Sequence, residues 1–367
     1  MVSGNAPPTF DGVGDFTARL LEHLARQRPD WRWSWLARRP RRFASLVARC
    51  SGVTLYRPAH TWTRRGRALA CWAVRALRPD VLHVQEQIHS FHETGAAVEL
   101  ARSTDAPLVT TLHEYHTELP SVVHTNDLVR RSDVIISNDP RNAERCLEQT
   151  GRAVDHHWWT SASVLPPAPA DRPPVRPGLV ATFGFLSAIK SMGLLHQALR
   201  TVRESRPDVR WRVIGPFEPA TNPHHAALAR SLGPDASWIE LTGGVVDHAR
   251  LRTMLAEAEV MLLPFADGAT VRRTTLHVAW AFGLPVVTTP PDRPTDAVTD
   301  GENCVLVHAP TPDAWASAVT SVLCDRPLAD RLRAGSLKAA ERFSWDRLAA
   351  EHVGVYEDLL ARQSGRT

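Results

Sequence analysis

Lysine is almost missing from this chain: among 43 basic residues only Lys190 and Lys338 are lysines. With the abundance of alanine and proline, that bias reads first as the imprint of a GC-rich genome and only second as chemistry. Cysteine is scarce and unpatterned. Cys50, Cys71, Cys146, Cys304 and Cys324 are odd in number and show no C-x-x-C spacing, which argues against a disulfide framework and a zinc site and for inert thiols in a reducing cytoplasm. No apolar run approaches the ~20 residues that span a bilayer. The opening "MVSGNAPP" has no basic segment followed by a hydrophobic one, so neither secretion nor membrane spanning is expected. Nor is there much excess of one charge: 43 basic against 39 acidic residues leave a net +4, which does not by itself call for nucleic acid.

What is present is the material of two α/β domains. At 367 residues with 43% hydrophobic content, the chain is too long for one ordinary core. Three amphipathic stretches end in Arg28-Pro29-Asp30, Arg78-Pro79-Asp80 and Arg206-Pro207-Asp208, each followed by an apolar or alternating run, the mark of a helix-to-strand step. The runs at 80–85, 106–113, 133–138, 178–186, 211–215, 238–243, 260–265 and 285–289 predict short strands separated by helix-length segments. Strand alternating with helix on both sides of the midpoint implies two parallel sheets. Between them "PPAPADRPPVRPG" (166–178) carries six prolines and predicts an extended connector, the alternative being a surface loop within one domain. The expected division is 1–165, a linker at 166–177, 178–345 and a last helix at 346–367. Two facing α/β units would bind ligand between the carboxyl ends of their strands. "MVSG" makes an unusually short first strand: either the start lacks a few residues or the strand is stunted.

Four stretches could carry chemistry. In "FDGVGDFTARLLEHL" (10–24), Gly12 and Gly14 precede a helical pattern and would present bare amides to an anion at a helix N-terminus. A tight turn that needs small residues explains the same glycines. In "TTLHEYH" (110–116), His113 and Glu114 fall at the carboxyl edge of a strand; His113 and His116 lack a third ligand at useful spacing, so no metal is assigned. In "FGFLSAIKSMGLLHQAL" (183–199), Lys190 precedes a helix, where an ammonium can reach a phosphate. In "DGATVRRTTLHVAWAFGLPVV" (267–287), a helix expected from about Thr274 to Phe282, with Thr274 or Thr275 as N-cap and Gly283 as C-cap, would place Arg272 and Arg273 beside unpaired amides, a corner suited to phosphate. With Lys190 from another turn of that domain, a diphosphate is the natural guest.

In their order and spacing these stretches, with "PDVLHVQ", "DVIISND", "LTGGVVDHARLRTMLAEAEVMLLPF" and "FSWDRLAAEHVGVYEDLL" (343–360), resemble the retaining glycosyltransferases of family 4. The resemblance implies the GT-B architecture, two Rossmann-like α/β domains facing across a cleft, with the last helix crossing back to the first domain. It implies a nucleoside diphosphate sugar as co-substrate, held by the second domain without metal or other cofactor. Lys190 matches the family's diphosphate-binding lysine, Gly12 and Gly14 the loop facing donor and acceptor, and His113 a histidine near the transferred sugar. Asp15 and Glu114 are assigned to the acceptor side. The chain departs from the family at Phe185, where an arginine is usual, and at Thr270 and Val278, which stand where two glutamates are usual. Asp267-Gly268 resembles the displaced Glu-Gly, so Asp267 takes over the sugar hydroxyls, and Arg272 or Arg273 supplies the missing cation.

The function this predicts is retaining, metal-independent transfer of a hexosyl-type sugar to a small-molecule, natural-product or glycan acceptor by a cytoplasmic enzyme, with His113, Lys190, Asp267 and Arg273 as its catalytic set. Gly12, Gly14, Gly268, Arg272, Thr274 and Thr275 complete the donor site. The alternatives are a non-catalytic sugar-nucleotide or glycan binder of the same fold and a GT-B epimerase, the latter disfavoured by the missing glutamates. No nucleic-acid module is apparent. "WRWSWLARRPRRF" (31–43) and "TWTRRGRALACWAVRAL" (61–77) combine tryptophan with arginine, which suits a weak membrane-surface contact; core tryptophans beneath a solvated basic face are the preferred reading.

Overall fold

The computed structural model describes residues 1–9, 11–40, 45–157, 163–165, 168, 171–184, 186, 191–232, 236–244, 247–293 and 295–365. The chain divides into two compact units, Met1–Thr160 with Ser344–Thr367, and Ser161–Phe343. The first break therefore falls ahead of the proline-rich 166–177 stretch, and the second just before the last helix.

In the first unit, β1 (Val2–Ser3), β2 (Trp33–Leu36), β3 (Val47–Cys50), β4 (Val53–Tyr56), β5 (Leu82–Glu86), β6 (Leu108–Leu112), β7 (Val134–Ser137) and β8 (His156–His157) form one sheet in the order β3-β4-β2-β1-β5-β6-β7-β8. All pairings are parallel except β3 with β4. Between strands run α1 (Gly12–Gln27), α2 (Arg64–Leu77), α3 (Ala96–Ala101), α4 (Val122–Arg131) and α5 (Pro140–Thr150). β1 is as short as its sequence suggested, yet it is central: Val2 pairs with both Leu36 and Val84, and Ser3 with Gln85. Its chain neighbours α1 and β2 lie on one side of the strand order and β5 on the other, so the loop after β1 opens at the switch point where an α/β sheet takes its ligand.

The 31–43 stretch is structural where it is described. Trp35 is buried in β2 and donates its indole N–H to Ser3 Oγ at 2.9 Å, and Trp62 is buried with its N–H on the Gly4 carbonyl. Of the tryptophans in those two segments, Trp72 on α2 stands exposed at 67%.

The second unit carries β9 (Leu179–Phe183), β10 (Arg210–Ile214), β11 (Ile239–Leu241), β12 (Val260–Leu263), β13 (Val286–Thr288) and β14 (Val305–Leu306), in the order β11-β10-β9-β12-β13-β14 and all parallel. Counted from β9 this is the 3-2-1-4-5-6 winding of a dinucleotide-binding fold. β9 and β12 are near-wholly apolar and buried on both faces, as strands covered by helices on either side must be. The helices are α6 (Met192–Ser205), α7 (Pro223–Leu232), α8 (His248–Ala256), α9 (Thr274–Ala281), α10 (Pro312–Cys324) and α11 (Arg326–Glu341). Trp211, Trp315, Leu199 and Val260 are all fully buried in the core they enclose. The final helix, α12 (Trp345–Ser364), belongs to the first unit and packs on α1: Trp345 meets Phe16 at 5.1 Å between rings, and Asp346 binds His23 at 2.6 Å.

Candidate functional site

Each sheet brings its chemistry to the carboxyl end. In the second unit the switch point lies between β9 and β12, so the segment after β9 and the loop after β12 are where a ligand is expected. Lys190 and Phe185 fall in the first of these and lie outside the described residues. The second, 264–273, is fully described.

That loop is held open by glycine chemistry. Gly268 has φ +86°, and a Cβ there would stand 2.7 Å from the Asp292 amide nitrogen, so no side chain fits. Thr289 Oγ1 donates to the Phe265 carbonyl at 2.8 Å and the Ala269 amide donates to the Pro290 carbonyl. The chain then turns through Thr270, whose carbonyl accepts the Arg273 amide at 3.0 Å, and enters α9.

Here the structure corrects the sequence reading. Arg273, in extended backbone, is the N-cap residue, and no side chain caps the helix; Thr274 and Thr275 are its first two residues. The threonine hydroxyls do not close the helix end, and the Thr274 and Thr275 amides have no acceptor among the described residues. The other end is as expected: Gly283, at φ +59°, donates to the Trp280 carbonyl and Leu284 to Ala279, the paired bonds of a glycine C-cap.

A second correction concerns charge. The sequence reading gave Arg273 to the phosphate and Asp267 to the sugar as separate duties. In the structure Arg273 donates to Asp267 Oδ2, and Arg272 Nη2 lies 3.8 Å from the same oxygen. The Arg273 guanidinium also sits over the Phe265 ring at 4.9 Å, which fixes its plane. The corner is thus a triad of two cations around one carboxylate, one positive charge in excess. Asp267 Oδ1 and Thr270 Oγ1 are buried in it without a hydrogen-bond partner among the described residues, and buried polar oxygens in that condition suit a ligand with hydroxyl donors.

In the first unit the β1–α1 loop is tied by Asp11. One carboxylate oxygen caps α1 through the Gly14 amide at 2.8 Å; the other accepts Asn5 Nδ2 and Ser90 Oγ, both at 2.7 Å. The two glycines therefore part company. Gly14 is capped and packs against the Asn5 carbonyl, a Cβ there lying 3.1 Å from it. Gly12 is exposed, and a Cβ at that position would meet no atom within 4 Å; the amides of Gly12 and Val13 have no acceptor among the described residues. Asp15 lies in the same first turn, half-buried and not without a partner.

His113 follows β6, and both of its ring nitrogens are engaged within the unit: Nε2 donates to Gln85 Oε1 at 2.7 Å, and Nδ1 accepts from Asn138 Nδ2 at 3.2 Å. Burial pushes its pKa down to about 4, so it is neutral at pH 7 and a sugar contact through Nδ1 must displace Asn138. Glu114 turns outward and accepts from Gln87 at 2.9 Å and from His116 at 3.0 Å. His116 binds Glu114 and Glu118 and shares no hydrogen-bond partner with His113 among the described residues. Burial lowers its pKa, but the two carboxylates outweigh burial and hold it above the ordinary histidine value. Glu86, at the end of β5, is a buried carboxyl whose only hydrogen bond among the described residues is from Thr125 Oγ1 at 3.0 Å; burial raises its pKa to about 7.

The sequence reading missed Asn5, Asp11, Gln85, Ser90 and Asn138. Asp11 had a signal, an Asp three residues before a glycine at a helix start, the N-cap pattern. Gln85 had a weaker one, an amide inside an otherwise buried strand.

Comparison with known proteins gives this arrangement its context. Residues 177–325 match the family model described as glycosyl transferases group 1. The D-inositol 3-phosphate glycosyltransferase of Xylanimonas cellulosilytica is 27% identical over 318 residues, 78% of this chain and 74% of that protein. Its counterpart in Stackebrandtia nassauensis is 27% identical over 262 residues, 66% of this chain but 58% of that protein. Among solved structures, the sucrose-phosphate synthase of Thermosynechococcus elongatus superposes with a TM-score of 0.77 at 16% identity, covering 98% of this chain and 99% of the other. Anabaena HepE in complex with UDP-glucose superposes at 0.72 with 16% identity, covering 96% and 99%.

Residues 177–325 form a glycosyl transferases group 1 domain, and the whole chain has the GT-B fold. As a glycosyltransferase it takes its sugar from a nucleotide sugar. The arginine corner stands between β12 and α9, with Val278 fully buried on α9 and the Thr270 hydroxyl buried beside Asp267.

Proposed function

We propose that this glycosyltransferase transfers a hexosyl-type sugar with retention of anomeric configuration and without a metal ion, and that the donor's diphosphate sits on Arg272, Arg273, Lys190 and the amides of Thr274 and Thr275. The observation that carries this reading is the uncapped N-terminus of α9 with two arginines immediately before its first turn, at the switch point of a dinucleotide-type sheet. Bare amides, a helix dipole and guanidinium groups are each suited to phosphate. In the transfer the bond between anomeric carbon and diphosphate oxygen breaks, the acceptor oxygen bonds to the same carbon, and the acceptor proton passes to a phosphate oxygen on the same face. The protein's contribution is to stabilise the departing charge, and losing one such preorganised donor costs about 100-fold or more in rate. Asp267 Oδ1 and Thr270 Oγ1 orient sugar hydroxyls. His113, neutral and held from both sides, serves as an orienting group near the sugar and not as a base, while Gly12 and Gly14 face donor and acceptor and Asp15 and Glu114 form the acceptor side. Relatives named for D-inositol 3-phosphate and sucrose-phosphate chemistry favour a small polyhydroxylated acceptor; the arginine- and alanine-rich composition favours a natural product.

The test is a thermal-shift panel of UDP, GDP, ADP and TDP on the full chain and on Arg273→Ala and Lys190→Ala, followed by transfer from the matching sugar nucleotides with the product's anomeric configuration read by NMR. A bound diphosphate raises the midpoint logarithmically with concentration, and both variants are expected to lose most of that rise. If each variant keeps donor binding and turnover, the site assignment is wrong; an inverted product would remove the retaining mechanism alone.

A further inference from the structure

The donor loop has two halves with different anchors. Its first half is pinned by Thr289, Pro290 and the close approach of Gly268 to Asp292. Its second half, which carries the arginines, is tied to α9 by a buried side chain. His277 Nε2 donates to the Val271 carbonyl, immediately before Arg272. The ring is 1% exposed and wedged edge-on between Trp280, at 5.4 Å and 89°, and Phe343, at 4.6 Å and 74°. Its Nδ1 has no hydrogen-bond partner among the described residues, so only Nε2 is used. The carbonyl requires a donor there, and the neutral ring keeps its proton on Nε2. Burial, which lowers the pKa to about 4, keeps it neutral across the working range. A leucine or phenylalanine would fill this apolar slot at least as well; what histidine adds is the single N–H.

We propose that His277 is the positioning residue of the donor corner, its Nε2–H holding the Val271 carbonyl so that Arg272 and Arg273 stand around Asp267 before the diphosphate arrives. This rests on the reading that the corner binds diphosphate. A buried carbonyl left without its donor carries a full desolvation penalty, so removing the donor loosens the segment by about tenfold in its opening equilibrium. The preorganisation of the two guanidinium groups is lost with it.

The experiment compares His277→Phe, which keeps ring packing and removes the N–H, with His277→Gln, whose amide nitrogen can reach the same carbonyl. Two readouts are taken on the full chain: hydrogen exchange of the 266–276 amides without ligand, and affinity for whichever of UDP, GDP, ADP or TDP binds best. His277→Phe is expected to speed exchange of that segment about tenfold or more and to weaken the diphosphate severalfold, with both effects largely reversed in His277→Gln. Unchanged exchange in His277→Phe overturns the proposal. So does faster exchange that His277→Gln fails to reverse, which would make the ring's packing and not its N–H the agent. If exchange behaves as expected but affinity is unchanged in both His277→Phe and Arg273→Ala, the diphosphate reading falls while the anchoring role stands.

Discussion

At the scale of single residues the donor corner is a contest for one carboxylate. Asp267 holds Arg273 and draws Arg272 to within 3.8 Å, which fixes both cations but spends part of their charge before any ligand arrives. Two opposed effects follow from Asp267→Asn. The net charge of the triad rises by one, so affinity for a bare nucleoside diphosphate is expected to increase by about three- to tenfold, the scale of a partly screened pair near a surface. At the same time the carboxylate facing the sugar is lost, so turnover of the sugar nucleotide falls. Isothermal titration with the diphosphate and steady-state kinetics with the sugar nucleotide check the two halves; a parallel loss of both would mean that Asp267 serves only to hold the arginines. Arg273→Lys is expected to rescue little of Arg273→Ala, because a single ammonium cannot keep both the bond to Asp267 and the stack over Phe265.

Among the elements, α1 and α9 solve the same problem in opposite ways. α1 is capped by Asp11, which also gathers Asn5 and Ser90; α9 is left open. Asp11→Ala removes a helix cap and strands two further donors, and is expected to destabilise the protein by about 2 kcal/mol or more in denaturant titration. The glycines of α1 separate fold from function. Gly12→Ala meets no atom within 4 Å and is expected to leave the melting temperature within about a degree or raise it. Gly14→Ala brings a methyl to 3.1 Å from the Asn5 carbonyl and should lower stability. If the bare amides of Gly12 and Val13 serve the substrate, Gly12→Ala reduces turnover without reducing stability; a Gly12→Ala variant with full turnover would remove this loop from the site.

For the whole molecule, the buried histidines set an acid limit. His113 and His277 hold pKa values of about 4 and His352 of about 3, and His83 is also lowered well below the ordinary value, in every case through burial first. An unfolded histidine titrates near ~6.5, so between about pH 6.5 and 4 the unfolded chain takes up protons that the folded chain refuses. Their contribution is complete above that window and drains as pH falls through it. Glu86 runs the other way: with its carboxyl raised to about 7, its contribution is present at low pH and is lost as pH rises through 7. With four histidines against one carboxyl, the melting temperature is expected to fall steadily from pH 6.5 to 4.5, and His352→Leu to flatten part of that slope. Calorimetry across pH 4.5 to 8 checks it, and a flat profile below 6.5 would contradict it.

Most of the architecture was legible in the chain. The strands at 82–86, 108–112, 134–137, 179–183, 210–214, 239–241, 260–263 and 286–288 all announced themselves: most are short apolar runs bounded by turn residues, as strands buried on both faces must be, while 210–214 and the edge strand 239–241 mix apolar with charged residues. β2 was not recognised: Trp33–Leu36 lies among arginines that disguise its inward alternation, and only the contact of Trp35 with Ser3 shows which way it faces. The glycine loop, the histidine after β6 and the arginine corner were likewise visible as residues, since each rests on local chemistry at a predicted strand end. What the residues could not reveal was how they spend their bonds. Gly14 rather than Gly12 is capped, His113 is held by Gln85 and Asn138, Arg273 is paired with Asp267, and His277 braces the loop from within. These are contests for hydrogen bonds among groups that the winding of the sheet brings to one edge, and sequence spacing records which groups compete but not which partner each one takes.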